Sequence, residues 1–418
     1  MPSAPSCQEK SISPRAQDGS RALPQGWRWV RLGEVCKVVG GSTPDSANPD
    51  FWDGEVVWVT PTDLGKNHAM VIKSSSRKIT ALGYESCSTE MLPTGTVIMS
   101  SRAPIGHLAI AGVPLSTNQG CKSFIPGPSV FSQFLYWMLK WDLPALRQLG
   151  SGATFAEVSK SQLEQVRVVL PPLPEQKRIA ALLNEQLSTV ERARVAVQEQ
   201  LDDAKALPAA FLRQAFPRPG EELPPAWKWV CLGEILFRRA EVLHPGDGTQ
   251  GEATFVGLEH VESGTGVRVG CETVDVASLT GRKPRFYRGD IVYGYLRPYL
   301  NKVWVANFDG LCSVDQYAFR VDTSLASAQF LSAFMRSPYY LRVAPVSTTP
   351  GQLPRIRSDE IAVVRVPLPP LPQQNRIGAI LNEQIEAAVG LRKGLEAQLA
   401  EIEALPAALL RKAFSGGL

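Results

Sequence analysis

One segment of this 418-residue chain occurs twice. Leu170-Pro-Pro-Leu-Pro-Glu-Gln-Lys-Arg-Ile179 returns as Leu368-Pro-Pro-Leu-Pro-Gln-Gln-Asn-Arg-Ile377. The match continues without a gap through Leu183-Asn-Glu-Gln186 against Leu381-Asn-Glu-Gln384, and on to Phe216 against Phe414. A second block repeats as well: Leu23-Pro-Gln-Gly-Trp-Arg-Trp-Val-Arg-Leu-Gly-Glu34 against Leu223-Pro-Pro-Ala-Trp-Lys-Trp-Val-Cys-Leu-Gly-Glu234. The chain therefore reads as a variable part and a repeated helix, then another variable part and another repeated helix.

Behind Pro174, well placed as a first helical residue, apolar residues recur at spacings of four and three: Leu183, Leu187, Val190, Val197, Leu201 and Ala204. The second copy gives Leu381, Ile385, Ala388, Leu395, Leu399 and Ile402. This is the seam of a coiled coil. Its one polar position is Arg194 in the first copy and Arg392 in the second. Either a solvated arginine with its stem along the seam or a register-setting ion pair fits there. Between Pro174 and Pro208, or Pro372 and Pro406, each helix is expected to span roughly 50 Å at 1.5 Å per residue. Connectivity sets their direction: the first helix leads from unit one to unit two, and the second starts at unit two with the same face. If they pair, they pair antiparallel about a pseudo-twofold axis.

Residues 23–169 and 223–367 read as the two globular units, 170–222 and 368–418 as the helical spacers, and 1–22 as a disordered, polar leader with no apolar signal region. In unit one, Trp27-Arg-Trp-Val-Arg-Leu alternates at strand period, Val56–Thr60 and Thr96–Met99 are short β-branched runs, and Phe131–Leu149 has helical spacing. Unit two gives the same order: Phe255–Leu258 is matched to Val56–Val59, Gly289–Tyr293 to Gly95–Met99, Gln316 to the neighbourhood of Gln119, and Phe330–Leu341 to the helix. Both units are mixed α and β.

The formal charge of +4 permits a nucleic-acid partner without demanding one. Seven scattered cysteines, none in a Cys-x-x-Cys pair, fit reduced thiols in a cytosolic protein, and four isolated histidines argue against a structural metal. No apolar run approaches a membrane span.

Two similar heads on a rod about an approximate dyad suit a reader of split duplex sites, because DNA presents its major groove once per roughly 34 to 36 Å. Unlike heads imply unlike half-sites. The Leu-Pro-Pro-Leu-x-x-Gln-x-x-Ile start of each helix, the repeated Trp-x-x-Val-x-Leu-Gly-Glu opening and the alternation of variable and repeated parts resemble the specificity subunits of type I restriction-modification systems, from Leu23 to Phe414. That resemblance implies an α+β fold: two similar target recognition domains separated by two long antiparallel coiled-coil helices in a pseudo-twofold repeat. It further implies double-stranded DNA, two methyltransferase (modification) subunits and restriction/translocase subunits as partners. S-adenosylmethionine, ATP and Mg would then sit on those partners, in the cytoplasm.

The residues themselves offer no catalytic apparatus. Asn48-Pro-Asp-Phe51 lacks the second proline of an amino-methyltransferase clamp and reads as a turn. Pro44-Asp45 and Pro49-Asp50 lead to Glu55-Val-Val without the lysine of a nuclease site. Gly120-Cys-Lys-Ser123 has the tail of a phosphate loop without its first glycine.

For DNA contact, unit two offers Arg282, Lys283 and Arg285, then Tyr293, Tyr295, Arg297, Tyr299 and Lys302, which interleave cations for phosphate with aromatics and an arginine able to reach guanine. Unit one offers Ser100, Ser101 and Arg102, with Asn118, Gln119 and Lys122 beyond; Gln119 and Gln316 suit bidentate contacts to adenine. The loops 150–155 and 347–352 are expected either to touch phosphates or to act as hinges. Other classes fit the same residues: a two-headed coiled-coil protein adaptor that does not touch DNA, or the specificity chain of a related system with a fused methyltransferase-nuclease partner.

Overall fold

The structure is a computed structural model, and it describes residues 23–102, 104–150, 157–217, 221–345 and 353–418. The leader, the loop 347–352 and all but Gly150 of the loop 150–155 lie outside the described residues. The chain forms two compact units, one of residues up to Arg194 with Glu401–Leu418, the other Val195–Ala400.

In the first unit the Trp27 alternation becomes the strand Arg28–Arg31. It pairs antiparallel with Arg167–Leu170, from Arg28 opposite Leu170 to Arg31 opposite Arg167. The repeated Trp27 block is thus paired with the residues that lead into the repeated helix. A central antiparallel ladder joins Cys36–Gly40, Cys121–Pro126, Val97–Ser100 and Leu108–Ala111. Val97–Ser100 is buried at all four residues, which is why it reads as a continuous β-branched run and not as an alternation. Trp52–Val59 contains the second β-branched run and pairs in parallel with Ser116–Thr117. The helix Ser132–Leu149 covers the ladder through Phe134, Leu135, Met138 and Leu139.

The second unit repeats this plan. Lys228–Cys231 pairs with Arg365–Leu368, and the ladder Leu236–Arg238, Gln316–Val321, Ile291–Gly294, Val303–Val305 follows the same order. Ladder register fixes which residues correspond. Gly294 lies opposite Gln316 as Ser100 lies opposite Cys121. Five residues earlier, Leu311 pairs with Phe255 as Ser116 pairs with Trp58. One expectation is corrected by this: Phe255 is the counterpart of Trp58 and not of Val56. Gln316 falls in the expected neighbourhood of Gln119, at the position of buried Cys121. The match of Gly289–Tyr293 to Gly95–Met99 agrees with the register, since Ile291 pairs with Val305 as Val97 pairs with Ile110. The expected single helix over 330–341 is two, Ala328–Arg336 and Pro338–Val343, because Pro338 cannot donate to the preceding turn and Ser337 caps a new start by accepting from Tyr340 N.

The repeated segments are helices Leu173–Ala215 and Leu371–Phe414, of 43 and 44 residues. Both run through their internal prolines, Pro208 and Pro406, where the sequence suggests an end. Packing overrides the lost hydrogen bond. Leu212 and Phe216 are buried in the second unit's core, with the Phe216 ring 5.3 Å from Phe330 and 5.4 Å from Phe334. Leu410, Ala413 and Phe414 are buried in the first unit's core, with Phe414 5.5 Å from Phe134. In each unit one helix starts where the other ends, which is the antiparallel arrangement the repeat requires. The seam positions Leu183, Val197, Leu201, Ala204, Leu381, Ile385, Ala388, Leu395 and Ile402 are buried, and Leu187, Val190 and Leu399 are half-buried. The polar seam position differs between copies: Arg194 pairs with Glu191 on its own helix at 2.8 Å, whereas Arg392 reaches Glu262 of the second globular part at 2.5 Å.

The repeated glutamine of each helix start has a structural role that its letters alone do not disclose. Gln176 is fully buried; its Nε2 donates to Ser129 O and Pro171 O, each at 2.9 Å, and its Oε1 accepts from Phe131 N at 2.8 Å. Gln374 does the same with Leu325 O at 3.0 Å, Pro369 O at 2.8 Å and Ser327 N at 2.9 Å. Phe131 and Ser327 are the residues on which the domain helices begin, so one side chain clamps the long helix to the domain helix in both units.

Candidate nucleic-acid interface

In the second unit a basic and aromatic cluster gathers where Ile291–Gly294 ends and Gln316–Val321 begins. Tyr295 and Tyr317 stack with centroids 4.3 Å apart and planes at 16°, and the Arg238 guanidinium lies 4.5 Å over the Tyr317 ring. Burial pushes both phenols above their ordinary range, more than the nearby guanidiniums pull them back: Arg355, Arg238 and Arg282 at Tyr295, and Arg238 at Tyr317. Both rings are therefore neutral donors near neutral pH, with cations around them. Arg297 is exposed and left-handed at φ 51°, and its backbone N is tied to Pro354 O at 2.7 Å. Tyr299 is 63% exposed beside it.

Other sequence candidates are turned to structural work. Tyr293 and Gln316 are buried in the core and present nothing to a duplex. Gln316 instead accepts from Ser313 N at 3.1 Å and shapes the turn before its strand. Lys302 Nζ is committed to Leu258 O at 2.7 Å, and Lys283 Nζ lies 4.5 Å over the Phe255 ring. Arg285 is half-buried close to Tyr287, whereas Arg282 is exposed. The missed residues are Tyr317, Arg238 and Arg355. A parity argument finds Tyr317: in Gln316–Val321 neighbouring residues face opposite sides, so a buried Gln316 implies a Tyr317 on the other face.

In the first unit Ser100 and Ser101 are fully buried. Ser100 Oγ donates to Pro104 O at 2.7 Å and accepts from Gly106 N and His107 N, so it folds the loop and leaves the contacts to others. Asn118 Oδ1 accepts from Gly120 N at 2.9 Å, a local turn. Gln119 is exposed, and its Oε1 accepts from Thr43. Gly41 packs so tightly here that a Cβ would fall 2.1 Å from Asn118 O, so no other residue fits without moving the strand.

Lys122, mostly buried, donates to Glu157 Oε1 at 3.3 Å, and Arg102 Nε donates to Glu157 Oε2 at 3.0 Å. Burial pushes the Glu157 carboxyl up, but Lys122 and Arg102 outweigh it and hold the group below the ordinary carboxylate range. Glu157 went unnoticed in the sequence, being 35 residues from Lys122 and 55 from Arg102. Ladder register makes Lys122 the counterpart of Tyr317, because Met99 faces Lys122 as Tyr293 faces Tyr317. The isolated bridges Arg102 to Glu157 and Leu296 to Arg355 likewise make Glu157 the counterpart of Arg355. Equivalent positions of one framework thus carry lysine and glutamate in one unit, tyrosine and arginine in the other.

Among the described residues one group has metal-ligand types together, Glu259, His260 and Glu272; His260 Nδ1 already accepts from Gly257 N at 3.0 Å. Among the described residues no helix is long and apolar enough to cross a membrane.

Two mixed α/β heads of common register, joined through repeated helices and carrying unlike basic or aromatic surfaces, define a paired recognition module. The family profile described as "Type I restriction modification DNA specificity domain" matches residues 24–200. The chain is 25% identical over 414 residues to the type I restriction enzyme MjaIX specificity subunit of Methanocaldococcus jannaschii, covering 95% of this chain and 94% of that one. It is 26% identical over 428 residues to the EcoDI specificity subunit of Escherichia coli, covering 95% and 89%. In fold it is similar to the HsdS subunit from Thermoanaerobacter tengcongensis, with a TM-score of 0.62 at 24% identity over 96% of this chain and 100% of that one. A chain from a structure of a type I restriction-modification system superposes with a TM-score of 0.68 at 24% identity, covering 95% and 100%. Residues 24–200 match the type I DNA specificity domain, and over nearly its whole length the chain is similar to specificity subunits of type I restriction-modification systems.

Proposed function

We propose that this subunit reads a bipartite, asymmetric duplex site, one half by the basic and polar surface around Arg102, Gln119 and Lys122 and the other by the surface around Tyr295, Arg297 and Tyr317. The observation that supports this most strongly is the shared register with unlike chemistry: a common scaffold that places Lys122 and Glu157 in one unit where Tyr317 and Arg355 stand in the other suits two different base sequences. The chain itself contributes recognition. Methylation and cleavage belong to two modification subunits and to restriction/translocase subunits, which hold S-adenosylmethionine, ATP and Mg, in the cytoplasm. The repeated helices are the docking surface for those partners and the spacer between half-sites.

Exchanging residues 36–165 for the equivalent segment of a relative is expected to change one half of the methylated sequence and leave the other untouched. Reading methylated positions by sequencing decides it; a change in both halves contradicts the one-unit, one-half assignment.

A further inference from the structure

We propose that Glu157 is a positioning residue for the first half-site, holding Arg102 so that its terminal guanidinium nitrogens meet a base edge. This rests on the DNA-reading function proposed above. The carboxylate is fixed from the protein side: Oε1 takes Lys122 Nζ, which is itself held by Ser101 Oγ and Gln119 O, each at 3.4 Å. The backbone is pinned too, by the bridge between residues 102 and 157 and by Val158 N donating to Ser101 O at 3.0 Å. On the outer side, among the described residues, Oε2 engages only Nε of Arg102, at 3.0 Å. The Arg102 side chain is half exposed, and its two terminal nitrogens make no bond among the described residues.

An arginine fastened at Nε and free at its fork has already lost the rotamer freedom that base reading would otherwise cost, and its planar fork suits the two acceptors of guanine. A carboxylate on a DNA-facing surface repels phosphate, so on charge alone it is a liability. The second unit has no acid at the corresponding place, where Arg355 stands. Positioning accounts for why the first unit keeps one.

Charge and positioning predict opposite signs. The full-length chain, its Glu157→Gln variant and its Arg102→Lys variant are each incubated with a random-sequence duplex library; bound molecules are sequenced, and affinity for unselected random duplex is titrated at several salt concentrations. Wild type is expected to enrich a motif. Both variants are expected to lose about tenfold in preference at the same base pairs of one half, with the other half unchanged. E157Q should bind random duplex as tightly as wild type or more tightly, since a negative charge has gone. R102K keeps the charge and the Glu157–Lys122 pair, so it decides the question if E157Q fails to fold. The inference is overturned if E157Q keeps its preference, if it tightens selected and random duplex equally, or if the two variants affect different base pairs. Wild type enriching no motif would instead overturn the DNA-reading function beneath it.

Discussion

Asp290→Ala is expected to lower the stability of the second unit by about 3 kcal/mol, because it strips the partner from a half-buried cation and leaves a buried amide unpaired. Asp290 is 2% exposed at the start of the central strand Ile291–Gly294. Its Oδ1 and Oδ2 accept from both Arg239 Nη2 and Nε at 3.0 Å, and Oδ2 also accepts from Tyr287 N at 2.9 Å. The hydrogen bonds that Arg239 donates to Asp290 are the largest cause raising its guanidinium above its ordinary value. Arg239 also lies 4.7 Å over the Tyr287 ring, and Tyr287 donates to Glu241. One carboxylate therefore ties the segment after Leu236–Arg238 to the turn before the central strand. Hydrogen exchange of peptides covering 286–321 measures the cost. Arg239→Ala should cost a similar amount, and the double variant should fall well short of the sum. A change under about 0.5 kcal/mol for either variant would show that the pair contributes nothing net, as many exposed ion pairs do not.

Gln176→Ala is expected to cost about 2–4 kcal/mol, from three buried hydrogen bonds at once. The Phe131 amide and the Ser129 and Pro171 carbonyls lose their partner inside the first unit. Gln176→Leu, which keeps the volume, should be nearly as damaging, since the loss is of polar satisfaction and not of packing. Exchange of the Phe131 amide reports directly: it should accelerate strongly in both variants and not in Gln374→Ala, which acts on Ser327 N instead. If Gln176→Leu keeps wild-type protection at Phe131, the clamp is not what fixes the helix start.

The repeat made the architecture legible because identical seam spacing at Leu183–Ala204 and Leu381–Ile402 needs the same burial in both copies. The strand and helix spans near Trp27, Val56, Thr96 and Phe131 followed from burial patterns that local sequence carries. The prolines misled, because the aromatic sockets that receive Phe216 and Phe414 come from Phe330, Phe334 and Phe134, far away in sequence. The interface was only partly legible. Choosing Gln316 over Tyr317 is a one-residue error of strand parity, whereas Tyr293 shares the face of Tyr317 and is buried because it lies deeper along the strand, packed against Tyr340. Choosing Ser100 and Ser101 mistook a loop-folding hydroxyl pair for a contact surface. Glu157 has no local pattern at all; it becomes visible only when the fold brings it to Lys122 and Arg102.

Two unlike heads on one scaffold are expected to read two unlike half-sites. Sequencing of methylated positions in a genome that carries this gene, with and without the gene deleted, tests it most directly. The expected result is a gene-dependent motif of two different specified runs separated by a fixed number of unspecified base pairs. A continuous or palindromic motif, or methylation indifferent to the deletion, would contradict it.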